Sequence, residues 1–240
     1  NSITEDKPAT FTVTLNRSLE RDLTVTLSNG DTVTVKAGKT TASYTLAAQG
    51  DDVFKDGETI QLSVSSAVDV GGKGFENLQI NATPASLQVL DTTSEVIATL
   101  AADKTTVTEG GQVTYTVTLT NAQGLAVTGH GGLTFTLTDG SKVIVPNGSA
   151  TGTVIVTAKD DVYTGGQANI VNKLVSVSGD DAFEKLTLGG ETRITTVTDE
   201  PSGQGDKVSV TIVSNGDVTE AQQPSFTVKV NQVLDRDLTV

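Results

Sequence analysis

The sequence predicts an all-β protein built from tandem immunoglobulin-like β-sandwich repeats. Three observations predict this fold class: apolar and polar residues alternate with a period of two, Gly-containing turns separate the short apolar runs, and similar segments return along the chain. Alternation with a period of two indicates half-buried strands. About seven short strands in every roughly 100 residues is the pattern of an immunoglobulin-like sandwich.

The repeat is most easily seen at a Thr-Glu step that precedes a strand. It places Glu5, Glu109 and Glu220 at intervals of 104 and 111 residues. Internal repetition at a fixed interval indicates an array of similar structural units. We therefore expect an immunoglobulin-like repeat lacking its first strand at 1–91 (the first unit), a complete repeat at 92–199 (the second unit), and a linker with the start of a truncated third repeat at 200–240 (the third segment).

The strands of the first unit follow from alternating apolar residues taken in chain order. They are predicted around Phe11, Val13 and Leu15; Val25 and Leu27; Val33 and Val35; Tyr44 and Leu46; Ile60, Leu62 and Val64; and Leu87 and Val89. Turn signals separate them at Asn29–Gly30, Ala37–Gly38 and Gly71–Gly72. The second unit repeats this plan, with turns at Asp139–Gly140, Asn147–Gly148 and Gly189–Gly190.

The opening strand distinguishes the three parts of the chain. It is predicted at 96–100 in the second unit, and its counterpart in the third segment at 208–213. The first unit begins after the position where this strand should lie, so we expect an unpaired strand edge and a gap in its core. The third segment has two or three strands, which are too few to close a sandwich.

Composition excludes several classes of function. The formal net charge of -13, from 29 acidic and 16 basic residues, argues against nucleic acid as a partner, because phosphate binding needs clustered Lys and Arg. No apolar run approaches membrane-spanning length, so direct membrane insertion is not expected. The chain has no Cys and no Met, which excludes thiolate metal sites and predicts an internal piece of a longer polypeptide.

An enzymatic activity is not expected. His130 is the single histidine, so a Ser nucleophile would have no other imidazole base, and as a lone loop residue it is predicted to be exposed. Paired carboxylates can hydrolyse glycosides, but three Tyr, six Phe and no Trp provide few surfaces for sugars. A glycan- or matrix-binding module is the alternative function, for which Phe54 and Tyr163 are scattered candidates.

The loop from Gly50 to Glu58 carries four carboxylates and opens a strand. Hard cations such as Ca²⁺ are bound by several carboxylate and carbonyl oxygens at once. The alternative is a solvated acidic turn, since Asp is also a common turn former. The Asp-Asp step of the loop returns as Asp160–Asp161 in the second unit, which favours a metal site within a repeating plan.

Four motifs, at 75–78, 83–92, 108–111 and 160–163, resemble the tandem immunoglobulin-like extender repeats of giant RTX adhesins, which bacteria secrete by type I systems for biofilm attachment. The acidic loop also resembles Calx-beta domains, in which such loops help to ligate calcium. The resemblance implies a calcium-stiffened spacer on the bacterial cell surface that projects a distal adhesive domain. It implies calcium ions and neighbouring repeats as partners, with extracellular matrix or surface glycans as further candidates.

The same resemblance implies a set of metal ligands at the ends of the units. The candidates are Glu5, Asp51, Asp52, Asp56, Glu58 and Asp91 in the first unit, and Glu109, Asp160, Asp161 and Asp199 in the second. The second unit departs from the pattern after Tyr163, where residues 164–167 lack counterparts of Asp56 and Glu58. We expect its loop site to be weaker or absent, with the acids of the junction as the better ligands, and metal occupancy to differ between the units.

Overall fold

The computed structural model describes residues 1–71, 74–179, 182–201 and 206–240. Gly72 of a predicted turn and residues 202–205 of the predicted linker lie outside these ranges. All regular elements in the described ranges are β-strands, which confirms the all-β fold class. These ranges contain no helix long and apolar enough to cross a membrane.

The strands of the first unit form two facing layers. They are β1 (Ser2–Thr4), β2 (Ala9–Thr14), β3 (Leu23–Leu27), β4 (Thr32–Val35), β5 (Thr41–Leu46), β6 (Thr59–Leu62), β7 (Val64–Asp69) and β8 (Ala85–Leu90). In one layer β4, β3 and β7 lie side by side, and β7 is joined through Ser63 to β6. β6 pairs with β8, and β8 pairs on its other side with β1. The other layer is the antiparallel pair of β2 and β5.

The second unit repeats this arrangement with additional strands. They are β9 (Glu95–Ala102), β10 (Thr106–Thr108), β11 (Gln112–Asn121), β12 (Leu133–Leu137), β13 (Lys142–Val145), β14 (Thr151–Thr157), β15 (Ile170–Asn172), β16 (Leu174–Gly179), β17 (Lys185–Leu188) and β18 (Arg193–Thr198). One layer contains β13, β12 and β16, continued by β15, β18 and β10. The facing layer has the order β14-β11-β9-β17, with β17 parallel to β9.

The core of the second unit follows directly from the alternating sequence. Val113, Tyr115, Val117 and Leu119 of β11 are fully buried, and the Thr residues between them point to the other face of the sheet. Phe135 of β12 is also fully buried in the same apolar cluster. Burial of each such side chain contributes about 1.5–3 kcal/mol, so this face stabilises the sandwich.

Two hairpin turns use glycine at equivalent positions. Gly30 joins β3 to β4 with a φ of 90°, and Gly140 joins β12 to β13 with a φ of 86°. This left-handed conformation is costly for residues that have a Cβ atom. The Asn-Gly and Asp-Gly signals in the sequence therefore mark turns for a conformational reason.

The facing layer of the first unit ends at β2. Among the described residues β5 is the only strand partner of β2, whereas β11, its counterpart, lies between β14 and β9. A groove of about 290 Å³ runs along the free edge of β2 and is lined by apolar side chains of both layers. Phe11 and Val13 are only half-buried there, although their counterparts in β11 are fully buried.

The third segment contains one antiparallel hairpin, formed by β19 (Val210–Ser214) and β20 (Phe226–Val230). Its apolar side chains are exposed, with 69% of the Ile212 surface accessible. An isolated two-stranded hairpin is at best marginally stable in water. The hairpin therefore presents two strands of a sandwich without the facing layer.

The prediction that His130 is exposed is wrong. Its side chain is only 2% accessible. Its Nδ1 accepts a hydrogen bond from the Gly132 amide at 3.1 Å, so its Nε2 donates to the Ser149 carbonyl at 2.8 Å. The ring also meets the Phe183 ring edge-on, with centroids 5.8 Å apart. His130 is thus a buried residue that joins a loop to the core.

Candidate metal centres

Glu5 is placed by the end of strand β1. Its backbone amide donates to the Leu90 carbonyl at 3.0 Å, which extends the pairing of β1 with β8 by one residue. Its backbone carbonyl accepts from the Gly50 amide at 3.3 Å. These two contacts direct a charged side chain into the end of the sandwich, where it is 0% accessible.

Asp56 and Asp91 complete a cluster of three carboxylates with Glu5. One oxygen of each residue lies within 4.8 Å of the others. The Asp56 amide donates to Asp91 Oδ1 at 3.0 Å, which holds the loop against the end of β8. Gly57 allows this approach, because a Cβ atom there would lie 3.0 Å from the Val89 carbonyl oxygen and 3.1 Å from Asp91 Oδ1.

The two oxygens of Glu5 differ in their surroundings. Oε1 accepts from the Thr92 amide at 3.1 Å and from the Thr92 hydroxyl at 3.3 Å. Oε2 is buried and has no hydrogen-bond partner among the described residues. Burying a carboxylate oxygen without a partner is costly unless a cation neutralises it. This oxygen is the strongest structural indication of a cation in the cluster.

Glu184 reaches the same region from the second unit. Its Oε2 accepts from the Ser94 amide, and among the described residues no group donates a hydrogen bond to its buried Oε1. Burial raises the pKa of Glu184; the Ser94 hydrogen bond opposes this shift, whereas the negative charges of Glu5 and Asp91 add to it. A cation between these carboxylates would connect the two units.

The other first-unit candidates lie outside this cluster of three. Asp51 Oδ1 accepts from the hydroxyls of Thr92 and Ser94. Asp52 Oδ1 accepts from the Phe54 amide two residues later at 2.6 Å, an arrangement typical of an Asp that shapes a turn. Glu58 is exposed, and its backbone carbonyl accepts from the Val89 amide at 2.7 Å.

The second unit has an equivalent cluster around Glu109. The Glu109 amide donates to the Thr198 carbonyl at 2.9 Å, as Glu5 does to Leu90, and its side chain is 4% accessible. Oxygens of Glu109, Asp199 and Glu200 lie within 4.8 Å of one another. Glu109 Oε2 accepts from the Asp161 amide at 3.2 Å, while the buried Oε1 has no partner in the described part of the chain.

A further group of carboxylates adjoins this cluster through Glu200. Oxygens of Asp160, Glu200 and Asp206 also lie within 4.8 Å of one another. A hydrogen bond from its own backbone lowers the pKa of Glu200, but burial and the neighbouring Asp206 and Asp160 carboxylates raise it, and the net shift is upward. Asp161 instead accepts from the Tyr163 amide at 2.7 Å and from the Gln167 side chain.

Loop 50–58 docks on the second unit through its central residues. The Lys55 amide donates to the Ala182 carbonyl at 2.7 Å, and the Glu184 amide donates to the Val53 carbonyl at 3.1 Å. The rings of Phe54 and Phe183 stack with centroids 5.5 Å apart. Gly129 makes room for Phe54, since a Cβ atom there would lie 2.6 Å from the ring. The acidic loop therefore also holds the first unit against the second through noncovalent contacts.

Tyr163, the counterpart of Phe54, makes a similar connection. Its ring lies 4.3 Å below the guanidinium carbon of Arg236 in the third segment, and its hydroxyl accepts from the Arg236 amide at 3.1 Å. A cation–π contact of this kind contributes about 0.5–1 kcal/mol at an exposed site. Both aromatic residues considered for glycan binding thus contact the next part of the chain.

Sequence reasoning did not identify Glu184, Glu200 or Asp206 as ligand candidates. A signal for Glu184 exists, because the Phe183–Glu184 pair repeats Phe75–Glu76 of the first unit. Glu200 and Asp206 lie in the acidic segment that follows β18. All ligand atoms in the three clusters are carboxylate oxygens, the donor type that Ca²⁺ prefers.

Comparisons with known proteins give one family match. The LapA domain family matches residues 1–92 and 95–200. A search of curated proteins found no match.

Solved structures align with the chain at low sequence identity. CBD12 from CALX1.2 is 10% identical, with 83% of this chain and 96% of that chain covered and a TM-score of 0.32. Calcium binding domain CBD12 of CALX1.1 is 11% identical, with 74% and 76% covered and a TM-score of 0.29. Invasin, a bacterial integrin-binding protein, is 14% identical, with 86% and 42% covered and a TM-score of 0.35.

Proposed function

The chain belongs to the LapA domain family, and on this basis we propose that it is an extender segment of a large bacterial adhesin that calcium ions stiffen at the ends of its units. Family membership indicates an adhesin-related, structural domain and not an enzyme. In the proposed role the segment lies outside the cell, on the bacterial surface, and holds a distal adhesive domain away from it for attachment and biofilm formation.

The observation that carries the calcium proposal is the unpartnered buried oxygen of Glu5, which occurs again at Glu109. Each of these two residues belongs to a cluster of three carboxylates at the end of a unit. A divalent cation would supply the missing partner and cancel the repulsion within the cluster. The same arrangement in two successive units is expected if the site belongs to the repeat.

The proposed mechanism is electrostatic. Without a cation, Glu5, Asp91 and Glu184 repel one another across the junction of the two units. With Ca²⁺ bound, the same groups become a crosslink. Extracellular calcium modules have dissociation constants of about 0.1–1 mM. A cation at about ten times its dissociation constant stabilises the native state by roughly 1.4 kcal/mol.

Thermal unfolding of the chain in calcium and in a chelator tests this proposal. We expect calcium to raise the Tm of the parent chain, and the Glu5→Gln substitution to remove most of the rise that the first cluster contributes. Glu20→Gln, which changes an exposed acid outside the clusters, should respond to calcium like the parent. Superimposed melting curves of the parent with and without calcium would show that calcium stiffening is wrong.

A further inference from the structure

We propose that the aromatic residue which follows each Asp-Asp step selects the kind of unit that can dock behind it. A Phe fits a unit whose receiving loop is built of glycine, and a Tyr fits a unit whose receiving loop carries an Arg. This inference concerns recognition between consecutive units, goes beyond the proposed function and does not depend on calcium. It gives Phe54 and Tyr163 a role in choosing the neighbouring unit.

The two aromatic residues are presented by the same local structure. The Phe54 amide donates to Asp52 Oδ1 at 2.6 Å, and the Tyr163 amide donates to Asp161 Oδ1 at 2.7 Å. In each loop an Asp side chain thus bonds to the backbone two residues later and shapes the turn. Because the presenting turn is the same, a difference in docking comes from the ring and from the unit that receives it.

Phe54 enters a site that has no room for a hydroxyl group. Its ring stacks on Phe183, which in turn meets His130 edge-on. A Cβ atom on Gly129 would lie 2.6 Å from Cζ of Phe54, but 3.0 Å and 3.4 Å from Cε2 and Cε1. The para end of the ring therefore points at Gly129, where the hydroxyl of a Tyr would meet the backbone. This site accepts Phe and rejects Tyr.

Tyr163 uses the hydroxyl group that the first site excludes. Its oxygen accepts a hydrogen bond from the Arg236 amide at 3.1 Å, and the Arg236 guanidinium carbon lies 4.3 Å from the centre of its ring. A Phe in place of Tyr163 would still offer a ring face to the cation, but it would take the acceptor away from the amide. This second site therefore favours Tyr over Phe.

The receiving loops differ in sequence in the way that these contacts require. Residues 129–132 of the second unit correspond to 234–237 of the third segment, because a Leu-Thr step directly follows each stretch. Leu234 takes the place of Gly129, and the third position holds an Arg where the second unit has a glycine. The corresponding loop of the first unit, 19–22, also has Leu and Arg at these positions. Two classes of receiving loop thus match two classes of ring.

Amide hydrogen exchange of the full chain, followed by NMR, tests the site of Phe54. The amides of Lys55 and Glu184 report docking, because each donates to a carbonyl group of the other unit. We expect Phe54→Tyr to speed the exchange of both reporter amides at least about tenfold, since the added hydroxyl overpacks the site. Phe75→Tyr is the matched control, because it adds the same hydroxyl to an exposed ring of the first unit and should leave both rates unchanged.

A pair of complementary substitutions shows whether the match between ring and receiving loop decides docking. Gly129 does not have a positive φ, so its backbone accepts Ala. Gly129→Ala should speed the exchange of the reporter amides at least about tenfold, because the new Cβ atom meets the ring of Phe54. Phe54→Leu removes the para carbon. The chain with both substitutions should therefore exchange at least about threefold more slowly than Gly129→Ala alone.

Tyr163→Phe tests the second site in the same experiment. It should speed the exchange of the Arg236 amide by about threefold or more, because the hydroxyl acceptor is lost. The reporter amides of the first junction should keep their rates. Unchanged reporter rates in Phe54→Tyr, an unchanged Arg236 rate in Tyr163→Phe, or a double variant that exchanges as fast as Gly129→Ala alone would overturn the proposal.

Discussion

At the scale of single residues, the most informative groups are buried acids. Glu5 and Glu109 hold equivalent positions, each with one satisfied and one unsatisfied carboxylate oxygen. Both are among the ligand candidates that the resemblance to extender repeats and Calx-beta domains implied. Glu184 was not predicted as a ligand candidate, because its repeated position does not show that docking of the two units brings it near Glu5 and Asp91.

The raised pKa of Glu184 predicts a pH dependence in the absence of calcium. A carboxyl group with a higher pKa in the folded than in the unfolded state contributes stability below its unfolded pKa, and this stability is lost as the pH rises through the folded pKa. In a chelator, lowering the pH from 7 toward 5 should therefore stabilise the parent more than the Glu184→Gln variant.

Thermal melts of the parent and of Glu184→Gln between pH 7 and pH 5 would measure the difference in the stability that each gains. Glu76→Gln is the matched control, because Glu76 occupies the equivalent position in the first unit and is exposed. If Glu184→Gln and the parent gain the same stability on acidification, the pKa of Glu184 is not raised in the folded chain.

At the scale of elements, alternation in the sequence predicted most strands but not all pairings. The segments 77–80 and 185–188 have similar patterns, with Leu78 and Ile80 corresponding to Leu186 and Leu188. Only the second forms a strand, β17, because β9 is available beside it. Local sequence indicates which residues can be extended, whereas pairing depends on neighbours distant in the chain.

Loop 50–58 should contribute to the stability of the chain through its contacts with the second unit. Phe54→Ala would remove the ring that stacks on Phe183 and fills the space beside Gly129. We expect a loss of about 1–3 kcal/mol in the free energy of unfolding, the usual cost of deleting a half-buried aromatic ring. Urea denaturation of the full chain would measure it.

Phe75→Ala provides the control for this substitution, because Phe75 is an exposed aromatic residue of the same unit. Its effect should stay within about 0.5 kcal/mol, as for most surface substitutions. Equal losses in the two variants would mean that the contact between Phe54 and the second unit contributes no stability.

At the scale of the whole molecule, clustered negative charge lies where one unit is followed by the next. The net charge of -13 includes the carboxylate clusters at the ends of the first and second units. The tandem plan was predicted from the repeated Thr-Glu step. The docking of loop 50–58 on the next unit was not, because the sequence of Val53 and Phe54 does not show which surface will cover them.

Calcium should restrict the relative orientation of the two units without changing either fold. Spin labels at Thr10→Cys in β2 and Ile155→Cys in β14 occupy exposed positions on different units. We expect the distance distribution between them, measured by pulsed electron resonance, to narrow when calcium is added.

Labels at Ile144→Cys and Ile194→Cys provide the reference, because both exposed positions lie on the second unit. Their distance distribution should be the same with calcium and with a chelator. If the distance distribution between the labels on different units is equally broad with calcium and with a chelator, bound calcium does not stiffen the junction.

The parallel pairing of β10 with β18, and of β1 with β8, has a mechanical consequence. In each pair the strand nearer the start of the unit lies beside the strand that ends it, and both run in the same direction. Tension applied to the two ends of the chain therefore slides one strand along the other. All hydrogen bonds of the ladder then bear the load together and do not open one after another.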